Sequence, residues 1–267
     1  MNLSAQEVSA QFLVVSQFTL YGNCDKGRRP SFDEAADPLK GEELYNYFVT
    51  QLKATKAVVE TGQFQQLKIH PALGVHPGMV KLETQSLALD FMRANIKQAC
   101  AIGETGLDYW YKWVRKDEVE RQKQKDSFTY HLGLAREFDL PIVIHSRGAW
   151  RDCLSMVRES GVKRALFHWY SGPVDILDQI LEAGFYVSTS PSVAYSPESR
   201  KAMEHAPLER VLVETDSPVH YRDGETSFMA EPKDVIRTWK ALAQLNNLNE
   251  EEVLAVINDN AKRFFGL

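Results

Sequence analysis

Short apolar runs alternate with amphipathic stretches from about residue 100 onward. This alternation is typical of βα units, in which helices cover a parallel sheet. One further apolar run precedes them, and the predicted strands are Leu67–Val75, Cys100–Gly103, Pro141–Ile144, Arg164–Phe167, Phe185–Ser188 and Val211–Glu214. The pattern therefore predicts an α/β fold with six parallel strands.

Apolar positions spaced three or four residues apart predict helices between and after these strands. One shared face consists of Phe128, Leu132 and Ala135, and another, behind the helix-opening Pro173, consists of Leu177, Ile180 and Leu181. Near the C-terminus, one stripe combines Ile236, Trp239, Leu242 and Ala243. A last helix follows Asn249, which with Glu252 has the spacing of a capping box.

Six strands are too few for a closed (β/α)8 barrel, which needs eight strands in about 250 residues. At about 31 residues per unit, residues 66–267 accommodate roughly six and a half units. We therefore expect an incomplete TIM-type (β/α) barrel over 66–267.

Residues 1–65 have a different pattern and are predicted to form a small α+β fragment. The stretch Phe12–Leu20 is rich in strand-forming residues, a basic segment Lys26–Pro30 follows, and Glu42–Thr55 has helical spacing. We expect Phe12–Leu20 either to lie against the gap in the incomplete barrel or to form a separate β-hairpin.

Composition excludes several classes of protein. The 44% hydrophobic content suffices for a buried core. The net charge of −5 excludes a protein that binds nucleic-acid backbones through an overall excess of positive charge. The apolar runs are far shorter than the roughly 20 residues that span a bilayer. The N-terminus lacks the pattern of a secretory signal, and the three cysteines, Cys24, Cys100 and Cys153, suit neither a disulfide framework nor a zinc ribbon. We expect a cytoplasmic protein with reduced thiols, in which Cys153 is a core residue.

Four polar residues occupy the carboxyl ends of predicted strands, where barrel enzymes assemble their sites. They are Glu104, His145, His168 and Asp216. Imidazoles and carboxylates together suit zinc, manganese or a similar divalent ion, so the pattern predicts a metal-activated hydrolase.

Other histidines are weighed separately. A single histidine at a strand end is more often a structural residue than a metal ligand. The presence of polar residues at the ends of four strands, as described above, favours a metal site. His76 follows the first strand and could contact a substrate phosphate or be a turn residue. Four more are interpreted as structural or solvated: His70, His131, His205 and His220.

Several segments together resemble the TatD family of metal-dependent deoxyribonucleases. They are Gly74–Pro77, Gly103–Asp108, Ile144–Arg147, Phe167–Gly172, Glu214–Pro218 and Asn260–Gly266. The resemblance implies an amidohydrolase-type barrel in which Glu104 bridges two metals, and His145 and His168 each complete one. It also implies that Asp216 is a ligand or general base, so that Glu104 and Asp216 are the catalytic carboxylates, and that the metal is zinc, magnesium or manganese.

One feature of that family is absent from this sequence. Such proteins open with a strand that ends in a His-x-His pair holding the first metal, whereas no histidine occurs here before His70. The second barrel strand is missing as well, which agrees with the length argument.

Residues 1–63 resemble another family, the D-aminoacyl-tRNA deacylases. The resemblance is carried by Ser16–Gly22, Lys26–Phe32, Glu34–Ala36 and Val58–Gly62. It implies that Ser16 and Thr19 sit at a deacylase site whose other half has no counterpart in this chain.

We therefore expect two joined modules: a deacylase-like fragment over 1–65 and an N-terminally truncated TatD-like hydrolase over 66–267. The expected function is hydrolysis of phosphodiester bonds in DNA, impaired by loss of the His-x-His ligands. The alternatives are deacylation of D-aminoacyl-tRNA, with tRNA bound through the N-terminal fragment, and a catalytically dead protein that binds a metal and phosphate.

Overall fold

A computed structural model describes residues 11–14, 40, 43–44, 46–47, 50–51, 58–61, 70–80, 82–223 and 226–267. The chain divides into two compact units, Met1–Ile69 and His70–Leu267. In the described residues, no helix combines the length and apolar character needed to cross a membrane.

The first unit contains a two-stranded parallel sheet of β1 (Gln11–Val14) and β2 (Val58–Thr61). The described part of the segment Phe12–Leu20 therefore pairs in parallel, which needs a long crossover rather than the tight turn of the expected β-hairpin, and residues 15–20 lie outside the described residues. The described residues between 40 and 51 are helical, as expected for that segment. Ser16 and Thr19 lie outside the described residues.

The second unit is built on a six-stranded, fully parallel sheet with the strand order β3-β4-β5-β6-β7-β8. The strands are β3 (Ala72–Leu73), β4 (Ala101–Gly106), β5 (Ile142–His145), β6 (Ala165–Phe167), β7 (Tyr186–Thr189) and β8 (Val211–Val213). Each predicted strand overlaps one of them. Among the described strands the sheet is open, with β3 and β8 at its edges, so the predicted incomplete barrel is confirmed.

Seven α-helices are described in this unit. They are α1 (Leu82–Asn95), α2 (Glu118–Glu137), α3 (Trp150–Ser160), α4 (Val174–Glu182), α5 (Pro197–His205), α6 (Val235–Asn246) and α7 (Glu250–Phe265). One α-helix lies in each connection between successive strands, and 3-10 turns flank it on both sides in the β3–β4 and β7–β8 connections. An antiparallel pair, β9 (His220–Asp223) and β10 (Thr226–Met229), follows β8.

The core lies between the sheet and these helices. As predicted, Phe128, Leu132 and Ala135 of α2 are buried, and so are Leu177 and Ile180 of α4. The predicted stripe on α6 is partly wrong, because Ile236 is 49% exposed and Thr238 is fully buried instead. The Thr238 hydroxyl donates to the backbone carbonyl of Glu214, so this polar side chain is satisfied inside the core. Cys153 is fully buried and unpaired, which agrees with its interpretation as a core thiol.

Candidate metal centre

Glu104 occupies an irregularity within β4 rather than the position after the strand. Ile102 pairs with Ile142 and Thr105 with Ile144, so two residues of β4 face the single Val143 of β5. Such a bulge re-aims a side chain that a regular strand would direct elsewhere. Gly103 has a φ of 146°, which only glycine adopts without strain. The bulge and the glycine together set the direction of the Glu104 carboxylate.

Three imidazole nitrogens converge on one oxygen of this carboxylate. His145 Nδ1 lies 2.7 Å, His168 Nε2 2.8 Å and His76 Nε2 3.4 Å from Glu104 Oε1. His145 ends β5, His168 follows β6, and His76 follows β3. Because all three strands are parallel, their carboxyl ends bring these side chains to one edge of the sheet.

Asp108 holds His145 from the other side. Its Oδ2 atom lies 2.8 Å from His145 Nε2 and also 2.8 Å from a guanidinium nitrogen of Arg147. Asp108 is fully buried, so its charge is compensated by these two partners rather than by water. The pair fixes the orientation of the His145 ring.

Glu214 has a comparable relation to His168. Its Oε2 atom lies 3.3 Å from His168 Nδ1, while its Oε1 atom accepts a hydrogen bond of 2.7 Å from the backbone nitrogen of Trp169. A carboxylate behind a histidine fixes the ring and increases its basicity, as commonly seen behind metal-bound histidines.

Side chains of helix α2 form hydrogen bonds with the segment that carries His76. The Val75 backbone nitrogen donates to His131 Nε2 at 2.9 Å, which leaves His131 Nδ1 to donate to the Ser127 carbonyl at 2.7 Å. Gln124 accepts from the backbone nitrogen of Asp108 and donates to the carbonyl of Pro77. Both side chains are buried, so His131 has a structural role, as expected.

Asp216 follows β8 and has a φ of 48°. Burial raises the pKa of its carboxyl group, and the charges of Glu214 and Glu104 raise it further, partly offset by His168 and His145. Asp216 therefore belongs to the same electrostatic environment as the cluster.

The protonation states of the cluster are coupled. Burial by itself would raise the pKa of Glu104, but hydrogen bonds from His145, His168 and His76 lower it far below its usual range. Burial would lower the pKa of both His145 and His168, yet the neighbouring carboxylates raise both, His168 strongly. The arrangement therefore stabilises a carboxylate beside protonated imidazoles.

These donors fit a divalent ion. The ligand atoms of His76, Glu104 and His145 all lie within 4.8 Å of one another, and His168 contacts the same carboxylate oxygen. Imidazole nitrogen and carboxylate oxygen are ligands for zinc, and for manganese where carboxylates are present.

The structure agrees with some of the site residues predicted from the sequence and changes the expected role of another. The structure brings together Glu104, His145 and His168, and it also brings His76 among the ligand atoms, whereas we expected it at a substrate phosphate. Three supporting residues lie within the segments that resemble the TatD family, but the sequence analysis assigned them no role. They are Asp108, Glu214 and Arg147. Gln124 had a weaker signal: it is a polar residue on the apolar face of α2.

A parallel sheet with histidine and carboxylate donors at its carboxyl edge defines a barrel-type hydrolase. The chain belongs to the family described as TatD related DNase, whose model matches residues 11–266. The match begins within residues 1–65, the segment that we expected to be a deacylase-like fragment.

Individual relatives agree with this assignment. The chain is 31% identical to the putative deoxyribonuclease TATDN3 of Mus musculus, over 73% of this chain and 68% of that protein. It is 32% identical to the uncharacterized metal-dependent hydrolase MJ1582 of Methanocaldococcus jannaschii, over 90% of this chain and 93% of that protein. The crystal structure of YJJV, a TatD homolog from Escherichia coli, superposes with a TM-score of 0.64 at 23% identity, covering 87% of this chain and 95% of that one. That structure supports the fold.

Proposed function

We propose that this protein hydrolyses phosphodiester bonds in DNA, using a divalent ion held by Glu104, His145 and His168 and using Asp216 as the general base. The observation that carries the proposal is the convergence of three imidazole nitrogens on Glu104 Oε1. The names of the relatives, deoxyribonuclease and metal-dependent hydrolase, support the same reaction class. We expect a low rate, because the chain has no His-x-His pair before His70 to hold a second ion.

Each residue of the cluster has a proposed role. Glu104 and the two histidines hold the ion, which when bound would supply an activated water and polarise the phosphoryl oxygen. Asp216 accepts the proton of the attacking water, because its raised pKa suits a general base better than an ordinary carboxylate does. His76 contacts the substrate phosphate beside Glu104, or joins the ligands of the ion.

The test is hydrolysis of a labelled DNA oligonucleotide by the purified protein with manganese or magnesium. We expect trace turnover that disappears in His145→Ala and in Asp216→Ala. His205→Ala is the matched control, because His205 pairs with Asp178 on the surface and belongs to no part of the cluster. Turnover that survives both site substitutions would overturn the assignment of the site. Metal binding without any turnover would favour the alternative of a catalytically dead binding protein.

A second part of the proposal concerns residues 1–65. We infer a deacylase-like fragment from its motifs, and the division of the chain after Ile69 is compatible with a boundary there. The TatD family model covers residues 11–65 as well, so the two assignments compete for the same segment. We expect that the protein does not hydrolyse D-aminoacyl-tRNA. We also expect any binding of tRNA to be lost when residues 1–65 are deleted. Resequencing the locus across codons 60 to 70 tests whether the two segments belong to one gene product.

We also place the protein in the cytoplasm. Cys100 and Cys153 are free thiols, as expected in a reducing compartment. Fractionation of cells that express a tagged chain tests this location.

A further inference from the structure

The segment between β4 and α2 carries an exposed aromatic patch beside the metal centre. We name residues 109–116 the aromatic loop; it reads Tyr-Trp-Tyr-Lys-Trp-Val-Arg-Lys. Trp110 is 64% exposed and Trp113 is 55% exposed. Large aromatic side chains are mostly buried in proteins, so two exposed tryptophans so close together indicate a surface that contacts a ligand.

Packing holds the aromatic loop in place. Trp110 lies against Gly148, where an added Cβ atom would come within 2.4 Å of its ring, and a Cβ atom added at Gly78 would lie 2.6 Å from the Tyr111 hydroxyl oxygen. Tyr111 and Trp113 stack with ring centroids 4.4 Å apart and an interplanar angle of 17°. The aromatic rings are therefore preorganised, and binding a ligand would cost little conformational entropy.

The aromatic loop is bonded directly to the residues that support the metal centre. Asp108 Oδ1 accepts a hydrogen bond of 2.8 Å from the Trp110 backbone nitrogen, while Oδ2 of the same side chain contacts His145. The Arg147 guanidinium, paired with Asp108, lies 5.9 Å from the Trp110 ring centroid and 5.3 Å from that of Tyr111. The Asp108 side chain therefore contacts both the aromatic loop and the metal centre.

The charge of the aromatic loop complements phosphate. Lys112, Arg115 and Lys116 are its charged residues, all positive, and Arg147 adds a further cation beside Trp110. Aromatic faces interleaved with cations are the combination that binds unpaired nucleic acid, because bases stack on the rings while the cations contact the backbone.

We propose that Trp110 and Trp113 form a stacking subsite for an unpaired nucleobase next to the bond being cleaved. The proposal rests on the proposed function, since it assigns the neighbouring cluster to phosphodiester hydrolysis. A base inside a duplex has both faces covered by its neighbours, so only a base freed from its stack can occupy this subsite.

The test compares binding of two single-stranded oligonucleotides, one intact and one with abasic residues, by fluorescence anisotropy in EDTA. Both probes carry the same phosphate charge, so their difference reports base contacts alone. We expect the wild-type protein to bind the abasic probe at least about fivefold more weakly. Trp110→Ala and Trp113→Ala should abolish that difference, and Trp110→Phe should retain most of it.

Phe91→Ala is the control, because Phe91 is an exposed aromatic residue on α1 outside the aromatic loop. It should leave the preference for intact DNA unchanged. Equal affinity of the wild-type protein for both probes, or a preference that persists in both alanine variants, would overturn the subsite. Circular dichroism confirms that each variant is folded; should Trp110→Ala not fold, the comparison of Trp113→Ala with Trp110→Phe decides.

Hydrolysis with added manganese is measured separately on the same proteins. A base preference in EDTA without hydrolysis supports the subsite and contradicts the proposed function. Hydrolysis without a base preference overturns the subsite and leaves the proposed function in place.

Discussion

At the scale of single residues, the centre depends on how carboxylates set the protonation of histidines. His145 lies between Asp108 and Glu104, and His168 lies between Glu104 and Glu214. These contacts raise the pKa of both imidazoles despite burial. A protonated imidazole cannot coordinate a metal, so protons and metal compete for the same nitrogens.

Metal affinity should therefore rise with pH. Because the pKa of both imidazoles is raised, they lose their protons only as the pH rises above the ordinary imidazole pKa of about 6.5, and binding of manganese should then tighten and release protons. Calorimetric titration in two buffers of different ionisation enthalpy measures both effects. Asp108→Asn removes a carboxylate that raises the pKa of His145, so its pH dependence should move to lower pH. An affinity that does not change over this range would contradict the prediction.

At the scale of secondary-structure elements, backbone conformation positions the ligands. Gly106 ends β4 with a φ of 138°, and a Cβ atom there would lie 2.1 Å from the carbonyl oxygen of His145. The close approach of β4 and β5 at this point brings Glu104 and His145 together. Only glycine permits both the conformation and the approach.

Gly106→Ala should destabilise the protein by about 3 kcal/mol and weaken metal binding, because β4 and β5 must separate. Urea unfolding and a metal titration measure these effects. Gly133→Ala is the matched control, since Gly133 lies inside α2 with nothing within 4 Å of an added Cβ atom. It should leave metal binding intact and stabilise the fold by up to about 1 kcal/mol. Equal behaviour of the two variants would refute the role of Gly106.

The start of α7 offers a second test at this scale. Asn249 caps the helix, as predicted, by accepting hydrogen bonds from the backbone nitrogens of Glu251 and Glu252. Asn249→Ala should cost about 1 kcal/mol of unfolding free energy, measured by urea denaturation. Gln244→Ala, at an exposed position on α6, should change it by less than about 0.5 kcal/mol. A cap substitution as mild as this control would show that the start of α7 contributes little.

At the scale of the whole molecule, the centre belongs to a sheet of six strands where a closed barrel has eight. The described donors share one carboxylate oxygen, and no histidine precedes His70 to supply another set. We therefore expect the described residues to hold a single ion rather than the two ions that would clamp both the attacking and the leaving oxygen.

We expect at most one tightly bound ion per chain. Elemental analysis after dialysis against manganese or zinc measures the stoichiometry. His168→Ala should reduce the bound metal, whereas His205→Ala should leave it unchanged, because His205 contacts only Asp178 among the contacts described. Two tightly bound ions per chain would show that ligands outside the proposed cluster complete a second site.

The sequence by itself determined which segments form the six strands and their order along the chain, because apolar runs and helical spacing are local properties of the chain. It placed Glu104 after a strand, whereas the structure has this residue inside β4. Motif resemblance also identified Glu104, His145 and His168. The helical spacing did not predict that Thr238 rather than Ile236 faces the core. That choice depends on the backbone carbonyl of Glu214, which lies outside the helix. Only the tertiary structure decided that His76 joins the cluster and that Asp108, Gln124 and Glu214 support it. The bulge in β4 and the pairing of β4 with β5 involve residues far apart in sequence, so no local pattern specifies them.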